Sequence, residues 1–166
     1  FALSRMGDRA AVPPLAEHLR SPVAEERWLT IGALGKIGGP DAMDAIAGLL
    51  GGDDSIDHRN AVLALAANGD VRATEPLKAM LDRESYAGDP GLTHEDYAGS
   101  DEATRQAARA NTVDQFLVNA ARAAASLGDP GLAPRLQNLQ KNDPSVAVQS
   151  AALSALHELG AAPEND

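Results

Sequence analysis

Seven carboxylates crowd one stretch of the chain: Asp82, Glu84, Asp89, Glu95, Asp96, Asp101 and Glu102. Oxygen ligands at that density are what a calcium ion takes. Their spacing does not follow the alternating Asp-x-Asp-x-Asp-Gly loop closed by a Glu, so the segment reads as a solvated acidic loop. The four histidines, His18, His58, His94 and His157, form neither a His-Glu-x-x-His pair nor any other paired cluster. No cysteine is present, which removes thiolate metal sites, disulfides and cysteine nucleophiles. The phosphate-cradling glycine loops and the Gly-x-Ser-x-Gly elbow are also missing. The expectation is a protein that is not an enzyme, with no metal and no cofactor.

Residues suited to binding are present instead. Tyr86 and Tyr97, the two tyrosines, sit in twin phrases, Glu84-Ser85-Tyr86-Ala87-Gly88 and Glu95-Asp96-Tyr97-Ala98-Gly99. Tyrosine joins an apolar face to a hydroxyl at small entropic cost, which suits a binding loop, although both rings could equally anchor that loop. The net charge is −10, from 24 acidic and 14 basic residues. No basic run interrupts that field, so nucleic acid and anionic membranes are disfavoured as partners. No apolar run reaches the length of a membrane span, so no membrane insertion is expected.

The elements that must position these residues announce themselves through glycine. Gly7, Gly38, Gly69, Gly128 and Gly160 each close a phrase of the form Ala-Leu-x-x-x-Gly or a near variant, in steps of 31, 31, 59 and 32 residues. A period of that size marks stacked two-helix repeats. A short first helix recurs over residues 12–19, 42–50, 74–81 and 132–139, and several copies carry proline near the start, where no helical N–H is lost. Glycine just past a helix end supplies the left-handed cap, and the Asp that often follows primes the next helix. In the second helix, small or apolar residues stand eight, five, four and one places before the closing glycine, as in Ala61, Ala64 and Leu65 before Gly69. Those offsets lie on one helical face, and Asn68 is the polar exception. Alanine and leucine dominate an apolar fraction of 44%, while aromatics are 3%, as suits helices packed closely in series.

These phrases resemble the HEAT repeat, and most closely its short variant, the PBS-lyase HEAT-like repeat. The resemblance implies an all-α fold, an α-solenoid of stacked two-helix repeats. Arg27 fits the arginine slot of the family's second helix. His58, Leu117 and Gln149 stand in that slot in later units. In the family this arginine pairs with an Asp of the turn, forming a ladder between repeats. The pairs His94-Glu95 and His157-Glu158 resemble those of the iron-binding HEAT-repeat enzyme deoxyhypusine hydroxylase, but their positions in the repeat do not correspond.

The long step from Gly69 to Gly128 predicts either a decayed repeat or an irregular insertion, and the insertion reading is preferred because residues 84–100 carry no helical pattern. The expected organisation is HEAT-like repeats over 1–82, an insertion with an extra helix over 83–112, and HEAT-like repeats over 113–166. Residues 101–109 are helical in pattern, as an extra helix or as an extension of the helix that reaches Leu127.

In such a stack the second helices line a concave face. Projection of each helix places Trp28, Lys36, Arg59, Asn60, Asn119 and Arg122 in that trough, with Tyr86 and Tyr97 contributed by the insertion. Trp and Arg are the residues most often found at binding hot spots. Packing of Trp28 against the preceding repeat is the competing expectation. The function expected is a non-catalytic scaffold that docks a protein partner. The alternatives are an accessory subunit of a bilin lyase or another chromophore-handling system, which the family resemblance implies, and a structural spacer. Phe1 falls inside what reads as the second half of a helix, so the chain is expected to be a piece of something longer. Self-association through an uncapped terminal repeat is expected, and so is a cytoplasmic location.

Overall fold

The structure, a computed structural model, describes residues 9–52, 55–89, 92 and 99–161. Eight α-helices and four single-turn 3-10 segments account for the regular structure among these residues, and no strand occurs. The helices are α1 (Val12–His18), α2 (Ala24–Ile37), α3 (Pro40–Ala47), α4 (Ser55–Ala67), α5 (Thr74–Met80), α6 (Glu102–Leu127), α7 (Ala133–Asn142) and α8 (Val146–Glu158). The fold is the all-α, α-solenoid type that the repeat predicts. The chain gathers into two compact units, Phe1–Pro76 and Leu77–Asp166.

The expected first helices appear as α1, α3, α5 and α7, and the second helices as α2, α4, α6 and α8. In the first unit α1 packs on α3 and α2 packs on α4, while α2 also meets α1 and α3. In the second unit α8 packs on both α6 and α7. The core runs through the offsets read from the sequence. Thr30, Ala61, Ala120 and Ala152 are buried eight places before the glycine, and Leu34, Leu65, Ala124 and Leu156 are buried four places before it. A fully buried leucine contributes about 1.5–3 kcal/mol, so a few such residues per repeat carry much of the stack. Thr30 keeps its place because its hydroxyl donates to the Glu26 carbonyl at 2.6 Å, one turn back.

Gly128 ends α6 at φ 73°, ψ 16°, and its N–H donates to the Ala124 carbonyl at 3.1 Å. This is the left-handed cap that the glycine rhythm predicts. Gly38, Gly69 and Gly160 also have positive φ.

Of the two readings of residues 101–109, an extra helix or an extension of the helix that reaches Leu127, the structure shows the extension. Residues 102–112 form no separate extra helix. They are the opening turns of α6, which runs unbroken for 26 residues, about 39 Å at 1.5 Å per residue. The helix holds neither Gly nor Pro. Asp101 caps it by accepting from the Thr104 N–H at 2.7 Å, and Glu102 pairs with Arg105 one turn on.

Candidate interaction surface

Ion pairs fix the second helices before any outer face can be offered to a partner. In the first unit the Arg27 Nε donates to Asp57 in the opening turn of α4, and its Nη1 donates to the Ser21 carbonyl at 3.1 Å. Both side chains are largely buried. The arginine slot of α2 therefore makes its rung. Asn68 adds a second tie between the helices, since its Nδ2 donates to the Gly35 carbonyl at 3.0 Å. The polar exception in the helical pattern is thus a hydrogen-bonding post.

The second unit makes its rungs with a residue that the sequence reading passed over. Arg83, in the 3-10 turn after α5, donates through Nε and Nη2 to the two carboxylate oxygens of Asp143 at 2.9 and 2.8 Å. Its Nη2 also donates to Asp114 of α6 at 2.6 Å. The Asp143 side chain is 1% exposed. It accepts from the Ser145 N–H at 2.9 Å and so anchors the turn into α8. Hydrogen bonds to Asp143, and then to Asp114, hold the Arg83 guanidinium above its ordinary pKa, against the pull of partial burial. The only local signal was the Asp-Pro turn phrase at Asp143-Pro144.

The structure sorts the expected trough residues. Lys36, Asn119 and Arg122 are exposed, and Asn60 is half-buried. Trp28 is half-buried, and its indole N–H has no hydrogen-bond partner among the described residues. Arg59 does not lie open to solvent as projected. It is 7% exposed, and its Nη2 donates to Ser55 Oγ at 3.3 Å on its own helix. A long apolar stem lets arginine pack in this way. Tyr86 is also buried, at 3% exposure. Its hydroxyl donates to the Met80 carbonyl at 2.9 Å, and its ring stacks on Phe116 with centroids 5.9 Å apart. Arg109 donates to its carbonyl at 2.9 Å. Tyr86 is therefore an anchor that fastens the turn after α5 to α6, and not an exposed binding ring. Tyr97 lies outside the described residues, as does His94.

What remains is a groove of about 450 Å³ between α6 and α8. Ala147, Ser150, Ala151 and Ser154 form its α8 side at helical spacing, so the wall is low and mixed in polarity. Val118 and Arg122 stand on the α6 side, and Glu158 stands at the end of α8. Among the described residues neither the Arg122 guanidinium nor the Glu158 carboxylate has an ion-pair partner. Such a surface can hold a polypeptide segment and read one acidic and one basic group on it. No group of three or more His, Asp or Glu side chains able to hold a metal ion occurs among the described residues. No helix there is long and apolar enough to cross a membrane.

The HEAT repeats family model matches residues 12–88, which span α1 to α5 and the turn that carries Arg83. The PBS lyase HEAT-like repeat model matches residues 1–21. No curated protein matches the chain. The matched segments, the buried register of the second helices and the glycine caps agree: the chain is a HEAT-like repeat protein.

Proposed function

We propose that this repeat scaffold is a non-catalytic docking module and that the α6–α8 groove receives a segment of a protein partner. The observation that carries the reading is the pair Arg122 and Glu158, two exposed charges with no ion-pair partner among the described residues, beside one low-walled groove. Small side chains at Ala147, Ser150 and Ser154 let a partner backbone approach closely, while the flanking charges set its direction and register. Asn119 belongs to the wider candidate surface of this unit, and Trp28, Lys36 and Asn60 are separate candidates on the first unit.

Capture from a native extract tests this, with the wild-type chain compared with Ser154→Trp and Arg122→Glu. Both positions are exposed, so the fold should survive. A protein retained by the wild type and lost by both variants supports the groove. Equal retention by all three removes the groove from the reading, and no retained protein at all favours a structural spacer.

The match of residues 1–21 to the PBS lyase HEAT-like repeat supports a second reading, an accessory role in a bilin lyase or another chromophore-handling system. Co-expression with bilin tests it. A pigment-dependent absorbance band that copurifies with the chain supports this role, and an unchanged spectrum sinks it.

A further inference from the structure

Asn68-Gly69 is the one Asn-Gly step in the chain; every other asparagine precedes Ala, Thr, Leu or Asp. An asparagine before glycine is chemically labile. Glycine has no side chain to shield its backbone nitrogen, and that nitrogen can reach the asparagine Cγ and close a five-membered imide. Here the labile amide is also a structural tie. Asn68 ends α4, and its Nδ2 gives both hydrogens to carbonyls: Ala64 at 2.9 Å, one turn back, and Gly35 of α2 at 3.0 Å.

The surroundings both protect the step and leave it reachable. A methyl added at Gly35 would stand 3.4 Å from the Ala64 Cβ, and one added at Gly38 would stand 3.2 Å from the Asn68 Oδ1, so the amide pins the end of α4 to the end of α2 at close range. Gly69 forms a left-handed cap at φ 71°. Its N–H donates to the Ala66 carbonyl at 3.0 Å, and the Asp70 N–H donates to the Leu65 carbonyl at 3.0 Å. The attacking nitrogen and the leaving nitrogen are therefore both engaged while the cap is closed. Asn68 is nonetheless exposed, so water reaches it when the cap frays.

We propose that Asn68-Gly69 is a self-modifying site, a one-way switch that releases the end of α4 from α2. When the cap opens, the Gly69 nitrogen attacks the Asn68 Cγ. A new N–C bond forms, the Cγ–Nδ2 bond breaks, and the amide leaves as ammonia with the Gly69 amide proton. Water then opens the imide at either carbonyl, giving aspartate, or isoaspartate with the main chain running through Cγ. The balance is amide plus water to carboxylic acid plus ammonia. The product has no Nδ2 donor, and its carboxylate stands where two carbonyls converge, at the negative end of the α4 dipole. Isoaspartate also lengthens the backbone inside the cap. Trp28, Lys36 and Asn60 ride on α2 and α4, so the release reaches those candidate binding residues.

Peptide mapping by mass spectrometry tests this on the whole chain, held folded at neutral pH and body temperature in heavy-oxygen water. Asn68 should be converted with uptake of heavy oxygen, while Asn60, Asn111, Asn119 and Asn138 stay intact. In urea the conversion should run at least about tenfold faster, because two hydrogen bonds no longer hold the amide. An Asn68 that stays intact in the folded chain and converts only in urea overturns the proposal. So do equal rates in both, since the fold then plays no part. Asn68→Asp installs the product and tests the release. Amide exchange at Gly69 and Asp70 should quicken at least about tenfold in this variant while exchange at Ala61 stays slow. Unchanged exchange at Gly69 and Asp70 means that the modification releases nothing, and it overturns the switch.

Discussion

Arg83 and Asp143, sixty residues apart in sequence, meet through two hydrogen bonds of 2.9 and 2.8 Å that align the guanidinium with the carboxylate. Forked pairing of this kind is the strong form of an ion pair. Asp143 is deeply buried, and Arg83 and the Ser145 N–H donate hydrogen bonds to its carboxylate. Leu117 fills the family's arginine slot on α6, and an arginine from the turn after α5 makes the link to the next repeat instead.

Removal of that arginine should therefore cost more than removal of an exposed one. Arg83→Ala should destabilise the chain by about 3 kcal/mol, because it strands a buried carboxylate. Arg135→Ala breaks an exposed pair with Asp82 and should cost less than about 1 kcal/mol. Urea unfolding followed by circular dichroism ranks the two, and equal losses would refute the assignment of Arg83 as the brace.

Glycine substitutions should have opposite signs at two sites. Gly128 has φ 73° with open space around it, so an added methyl meets no atom and the cost is conformational alone. Gly128→Ala should lose about 1–2 kcal/mol. Gly32 lies inside α2 with nothing near an added Cβ, and Gly32→Ala should gain about 0.5–1 kcal/mol. Thermal melts of the two variants check both signs.

Asp70 makes a pH-dependent contribution. Hydrogen bonds from Arg72, at 2.9 Å from Nε and 2.5 Å from Nη2, hold its carboxyl below the ordinary aspartate range. The folded value lies below the unfolded one, so the stabilisation is complete above the unfolded value and is lost as pH falls through the folded one. Asp70→Asn should be less stable than the wild type at neutral pH, and the gap should narrow in acid below the carboxylate range. A gap that is constant with pH would sink the prediction.

The opening turns of α6 depend on their cap. Asp101 accepts from the Thr104 N–H, which also holds its carboxyl below the usual range. Asp101→Ala should speed amide exchange at Thr104 and Arg105, while exchange near Leu117 stays slow. Uniform protection along α6 in the variant would show that the cap is dispensable.

Deletion of residues 84–100 should damage folding as well as any binding, because it removes the Tyr86 ring that stacks on Phe116. Tyr86→Phe, which loses the bond to the Met80 carbonyl, should cost about 1 kcal/mol. A variant melting at the wild-type temperature would contradict that role.

Glycine spacing was enough to locate every second-helix end in the described part of the chain, since an α-helix closed by a left-handed residue has few sequence solutions and the motif recurs. The buried register followed for the same reason: offsets of three, four and seven are properties of one helix and need no neighbour to define them. Exposure at the edge of that face is different, because the adjacent helix decides it. Arg59 projects outward on an isolated α4 and is buried in the folded unit, while Arg122, four places nearer its glycine, stays open. The continuity of α6 was legible only as one of two alternatives, because absent Gly and Pro permit a long helix without requiring it. Arg83 carried no local mark, since a contact across sixty residues leaves no periodicity behind it. Local backbone chemistry determined where helices start and stop; tertiary packing decided which charges are buried as braces and which remain available to a partner.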